Sequence, residues 1–184
     1  AITGNAKDLS LVSGSGAVTV SGDATNLGTV ALQNASSTGP VSFQGNISAA
    51  GLTTAAGAYA ISILGSSNQF TNLVNITSTG ALTLHDDVAD TTTFVGGLNV
   101  TNSVSATSLE GTILSNGTNV RLYKTSLSQD ATINSTNGGS YPGGDIVLAG
   151  GLKFNGYTLT TISDDASNVT TGSTTLTGDV DITG

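Results

Sequence analysis

Apolar side chains recur at every second position of this chain, in runs so short that few architectures accommodate them. In "TTLTGDVDITG" (174–184), Leu176, Val180 and Ile182 alternate with Thr175, Thr177, Asp179, Asp181 and Thr183, with Gly178 between. That is the period of a half-buried strand. The pattern repeats in "DLSLV" (Leu9, Leu11), "AVTVSG" (Val18, Val20), "TVALQN" (Val30, Leu32), "PVSFQG" (Val41, Phe43) and "AISIL" (Ile61, Ile63). It continues in "ALTLH", "GLNVTN", "NVRLY", "DIVLAGGLKF" and "YTLTTI". Each run is bounded by Gly, Asn, Ser or Asp, and helical spacing is nearly absent.

From Leu9 to Val18, Val30 and Val41 the runs step by 9, 12 and 11 residues. Many short strands at such intervals make either a sandwich or barrel, or a stacked solenoid. A sandwich uses longer strands and a few large aromatics to fill a core about 10 Å thick. This chain has no Trp, four Phe and four Tyr. The expected fold is therefore all-β, a right-handed parallel β-helix over residues 1–184, with a β-sandwich as the alternative. At about 20 residues per rung the chain makes roughly nine rungs, a rod on the order of 40 Å long at 4.7–4.9 Å per strand spacing. "NSTNGGSYPGGD" (134–145) breaks the rhythm and reads as a loop leaving the rod, with Tyr141 its single aromatic. "NASSTGP" (34–40) is a smaller version.

Charge narrows the partners. Ser, Thr, Asn and Gly account for 93 of 184 residues, and only 9% are charged. Disorder by composition requires low hydrophobicity with high net charge, whereas Val, Leu, Ile and Phe make up 46 residues in patterned runs. The net charge is −8, with Lys7, Arg121, Lys124 and Lys153 the only cations. A phosphate backbone or an anionic membrane needs clustered Lys and Arg, so neither nucleic acid nor membrane insertion is expected. No apolar run approaches the roughly 20 residues of a membrane helix. There is no Cys, hence no disulfide or thiol site.

Three longer stretches carry a family likeness. They are "GAYAISILGSSNQFTNLVNITSTGALTLHDD", "TTTFVGGLNVTNSVSATSLEGTILSNG" and "INSTNGGSYPGGDIVLAGGLKFNGYTLTTI". This phrasing, from about Gly57 onward, resembles the large repetitive surface proteins of bacteria, the filamentous-haemagglutinin-like adhesins and autotransporter-type passengers. The resemblance implies a right-handed parallel β-helix, export to the cell surface, and a role in adhesion, aggregation or filament and biofilm-matrix assembly. It carries over no catalytic residue. It also implies partners: the chain itself, end to end or laterally, neighbouring repeats of a larger protein, and host or matrix glycans and proteins.

The inventory offers little chemistry beside it. Ser-His-Asp catalysis needs a histidine base, and the only one is His85, in "TLHDDV". It reads as an exposed turn residue, its imidazolium slightly favoured by Asp86 and Asp87. A zinc site lacks ligands. Asp86-Asp87-Asp90, Asp164-Asp165, Asp179-x-Asp181 and Glu110 are the carboxylates available for glycoside hydrolysis. They read as solvated turn residues, and a carbohydrate-active coil is the alternative if they gather beside Tyr141 or Arg121. Oxygen ligands leave calcium as the one weak cofactor candidate, though the calcium-roll nonapeptide is missing. No catalytic, cofactor or metal residue is assigned. The pairs Thr77-Thr79, Thr91-Thr93, Thr158-Thr160 and Thr175-Thr177 step by 14, 67 and 17 residues, which argues against a regular threonine ladder. Seven Asn-x-Ser/Thr sites, at Asn34, Asn46, Asn75, Asn99, Asn116, Asn134 and Asn168, place those side chains outside. Ile-Thr-Gly occurs at both ends of the chain, which suggests a piece of a longer rod or copies paired head to tail. A plain spacer with no ligand is the remaining expectation.

Overall fold

The computed structural model describes residues 1–164 and 172–182. Within them the chain is all strand, turn and loop, and every strand pairing is parallel. That excludes an antiparallel sandwich. The chain winds as a parallel β-solenoid with three faces. Ile2–Leu11, Ala24–Leu32 and Ile47–Thr54 each bend from the first face onto the second. Val18–Val20, Val41–Phe43, Ile61–Ile63 and Leu82–Leu84 form the third.

On the third face Val18, Val41, Ile61, Leu82, Thr107, Thr125, Leu152 and Val180 stand in one register column. Their sequence steps are 23, 20, 21, 25, 18, 27 and 28 residues, so the solenoid has about seven turns, not nine. The difference has a physical cause. A turn needs three strands and three corners, and the first-face strands, such as Ser67–Phe70 and Thr91–Phe94, are too polar to announce themselves. Seven inter-coil steps of about 4.8 Å give a shaft on the order of 35 Å.

Inward side chains stack coil on coil. Val20, Phe43, Ile63, Leu84, Leu109 and Leu127 form one such column. Leu27, Ala49, Phe70 and Phe94 form another, with the last two rings stacked at 5.5 Å between centroids. These belong to one continuous apolar cluster. Tyr59 is the largest fully buried side chain. Its hydroxyl accepts from the Ala55 N–H at 2.8 Å and sits 3.0 Å from the Leu32 carbonyl. Burial holds its phenol above the usual 10.0.

The corners explain why Asn, Asp and Gly punctuate the sequence. At several of them an Asx oxygen accepts a backbone N–H of the next coil. Asp23 accepts from Asn46 and Asn46 from Ser67, both at 2.9 Å. Asn119 accepts from Asp145, also at 2.9 Å, and Asp130 from Thr158 at 2.7 Å. Between the third and first faces, Gly22, Gly45 and Gly65 occupy successive coils. A Cβ on Gly45 would lie 2.5 Å from the Gly22 carbonyl carbon, and one on Gly65 would lie 2.5 Å from the Gly45 oxygen.

Asp145 continues its corner ladder by accepting both the N–H and the hydroxyl of Ser173 at 2.9 Å. These bonds, the backbone one first, hold its carboxyl below the ordinary 3.8. A depressed folded-state value means that its contribution is present above pH 3.8 and is lost as pH falls through the folded value. Ser173→Ala is expected to move the Asp145 titration, followed by carboxyl NMR, part of the way back toward 3.8. The backbone N–H should retain the rest.

Candidate functional surface: hydroxyl columns and the His85 corner

Register also aligns the outward side chains. On the first face Ser67, Thr91, Thr112, Thr132 and Thr160 stand one above another in five consecutive coils. On the third face Thr19, Ser42, Ser62, Thr83, Ser108 and Ser126 do the same in six, and Lys153 and Asp181 continue the column. The second face is mixed, with one amide step in its outward column, where Asn99 Nδ2 donates to Asn75 Oδ1 at 2.9 Å. The Thr-x-Thr pairs form no regular ladder, as expected; the first-face column is built instead from single Ser and Thr residues, one per coil. Unequal spacing in sequence does not prevent alignment in space, because corners of different length absorb the excess. Of the Thr-x-Thr pairs, only Thr91 and Thr160 contribute to the first-face column.

The corner from His85 to Asp90 borders this face. His85 is fully buried, contrary to the exposed turn residue expected. Its backbone lies at φ 72°, a left-handed conformation uncommon for a non-glycine residue, which sits with its ring against the core. Nδ1 lies 2.6 Å from the Glu110 carbonyl oxygen and Nε2 lies 2.7 Å from Thr92 Oγ1. Thr92 Oγ1 also receives Asn68 Nδ2 at 3.1 Å. Burial pushes the imidazolium below the usual 6.5. The Glu110 carbonyl, Asp90 and Asp86 act the other way and are outweighed. The expected favoured imidazolium is corrected with it, since desolvation exceeds attraction to the carboxylates. Asp86 is raised above the ordinary 3.8, first by burial and then by the charge of Asp90.

The other candidate groups stay apart. Asp179 and Asp181 border a groove of about 430 Å³ with Lys124 and Lys153. Lys124 Nζ sits 5.5 Å from the Tyr123 ring centroid. Arg121 is on the second face and donates to Asn102 Oδ1 at 2.5 Å. Tyr141 is exposed on the segment that joins Val120–Asn134 to Ile146–Lys153, which is ordered by the Ser135 hydroxyl donating to the Gly144 carbonyl at 2.7 Å. Glu110 is buried, and its Oε2 has no hydrogen-bond partner among the described residues. Among the described residues no group of three or more His, Cys, Asp and Glu side chains is placed to hold a metal ion. Asn134 is buried, not outside, with Oδ1 accepting from the Thr136 N–H and hydroxyl. Asp165 and Asn168 lie outside the described residues.

Sequence reasoning missed both columns and the buried His85 network. The signal for the third-face column was present as Ser or Thr between the two apolar residues of a strand, as in "VTV", "VSF", "ISI" and "LTL". The chain matches no family model, no curated protein and no solved structure.

Proposed function

We propose that this chain is a segment of an exported surface protein, a rigid shaft that adheres or assembles through its outer faces and catalyses nothing. The observation that supports this reading best is the pair of hydroxyl columns backed by an unbroken core. Such a face offers one hydroxyl per coil, about every 4.8 Å, with little charge to repel a neutral partner. Its complement is a surface rich in ordered hydroxyls, such as a matrix polysaccharide or the like face of a second copy. A non-catalytic role is consistent with a histidine whose two ring nitrogens are both engaged inside the protein. The groove beside Lys124, Lys153 and Asp179 is where the alternative, a carbohydrate-active coil, would act.

Beads coated with the full chain test this. They are expected to clump or to adhere to polysaccharide-coated surfaces. The double variant Thr112→Lys, Thr132→Lys should lose most of that adhesion, at least tenfold in bound beads, with an unchanged circular dichroism spectrum. Equal adhesion by the folded variant would overturn the assignment to this face.

A further inference from the structure

We propose that the His85–Asp90 corner is an acid-released latch, closed by one neutral histidine tautomer, and that its release moves a wall of the threonine face. The hydrogen-bond directions permit a single assignment. The Ile47 N–H donates to Asn68 Oδ1 at 3.0 Å, which fixes the amide orientation. Asn68 Nδ2 then donates to the Gly65 carbonyl at 2.6 Å and to Thr92 Oγ1 at 3.1 Å. An amide nitrogen cannot accept, so the Thr92 hydroxyl is free to give its own proton to His85 Nε2. Nε2 is therefore the lone-pair nitrogen, and the ring proton on Nδ1 donates to the Glu110 carbonyl. The relay links four coils and begins and ends on backbone groups, the Ile47 N–H and the Glu110 carbonyl.

A second ring proton breaks this arrangement. Nε2–H must donate to Thr92 Oγ1, which already accepts from Asn68, and the Thr92 hydroxyl proton is left to find a new acceptor in a closed site. The charged ring would also be fully buried, at a backbone conformation that is unfavourable by itself. Opening the corner relieves all three. The charged groups that act on the ring are Asp90 and Asp86 on its own corner; the other titratable residues nearby are Asp87 on that corner and Glu110 on Thr107–Ser115, which meets the ring through its backbone carbonyl. Asp130, from the corner after Val120–Asn134's third-face stretch, borders the same groove as Val88. The strands bearing Asn68 and Thr92 contribute only neutral groups to the relay. In the closed corner Asp90 and Asp86 offset part of the burial cost of the imidazolium and are outweighed by it, so they temper the release while burial drives it.

Val88, half-exposed at the middle of the corner, lines a groove of about 260 Å³ together with Thr112, Thr132 and Thr160. Release of the corner thus reshapes access to the face proposed above as adhesive. The latch itself does not depend on what that face binds. The histidine value is lowered in the folded state, so the closed corner is fully stable above pH 6.5 and loses stability as pH falls through the folded value. The raised Asp86 acts in the opposite sense: its contribution is full below its ordinary 3.8 and is lost as pH rises through the folded value.

Amide hydrogen exchange of the full chain, corrected for the intrinsic effect of pH and compared between pH 7.5 and 5.5, tests the latch. Protection at 85–90 and 110–112 is expected to fall by up to tenfold per pH unit below 6.5, the limit set by one proton. Protection at the equivalent corner of an earlier coil, 43–47, should not change. In His85→Gln the pH dependence at 85–90 should vanish, and Gln33 shows that glutamine is accommodated at a buried corner with φ 56°. If that variant does not fold, nitrogen NMR of the wild-type ring decides: the Nδ1–H tautomer at pH 7.5 supports the latch and the Nε2–H tautomer overturns it. Unchanged protection in the wild type overturns it, as does equal loss at every corner or a glutamine variant with undiminished pH dependence.

Discussion

Gly45→Ala is expected to destabilise the solenoid by about 3 kcal/mol, at the upper end of what overpacking a closed interior costs. The added methyl carbon would lie 2.5 Å from the Gly22 carbonyl carbon, 2.6 Å from the Asp23 nitrogen and 2.9 Å from the Gly22 oxygen. All three are backbone atoms of the coil below, so no flexible side chain can swing aside. The two coils must separate locally, and the Asp23–Asn46 bond at 2.9 Å on the same corner is stretched with them. Gly51→Ala is the matched control, because its nearest neighbours lie at 3.8–3.9 Å. That substitution should be within about 0.5 kcal/mol of neutral. Urea unfolding of both variants measures the contrast, and equal midpoints would mean that the glycine column is not in close contact.

The second large effect is expected at the aromatic stack. Phe70 and Phe94 are both fully buried in adjacent coils, with their rings 13° from parallel. Phe94→Ala removes the ring and leaves a cavity, at a cost of about 3–5 kcal/mol. For a chain of this size each kcal/mol lowers the midpoint by about 2–4 °C, so thermal melts should fall on the order of 10 °C. Phe94→Leu refills most of the volume and should recover more than half of the loss. A loss as large in the leucine variant as in the alanine variant would assign the stability to ring stacking and not to filled space.

Both predictions concern parts of the molecule that the sequence disclosed unevenly. Strands of the third face and most of the second were legible, since "VSF", "ISI" and "LTL" put two large aliphatics or aromatics around one hydroxyl. The first face was not. "SNQF" and "TTTF" point Asn68 and Thr92 inward, where hydrogen bonds across coils replace apolar contact. Pattern reading equates polar with outward, so it lost one strand in three and compressed the turn from about 23 residues to 20. His85 failed for the same reason. Beside two aspartates it looks solvated, and only its position under Glu110 of the next coil makes it interior. The hydroxyl columns needed register, which depends on corner lengths that local sequence does not specify.

The hydrogen bonds between coils all lie along the axis of the shaft, which gives it a mechanical character. A force applied along that axis pulls on these bonds directly, one inter-coil layer after another, and not sideways across a sheet. A released coil of about 23 residues pays out as much as about 75 Å of extended chain, against the roughly 4.8 Å it occupied when wound. The shaft is therefore stiff until a layer parts, and then becomes a long tether that yields in coil-sized lengths. For a protein held between two surfaces, each yielded length would dissipate strain while the remaining coils stay wound.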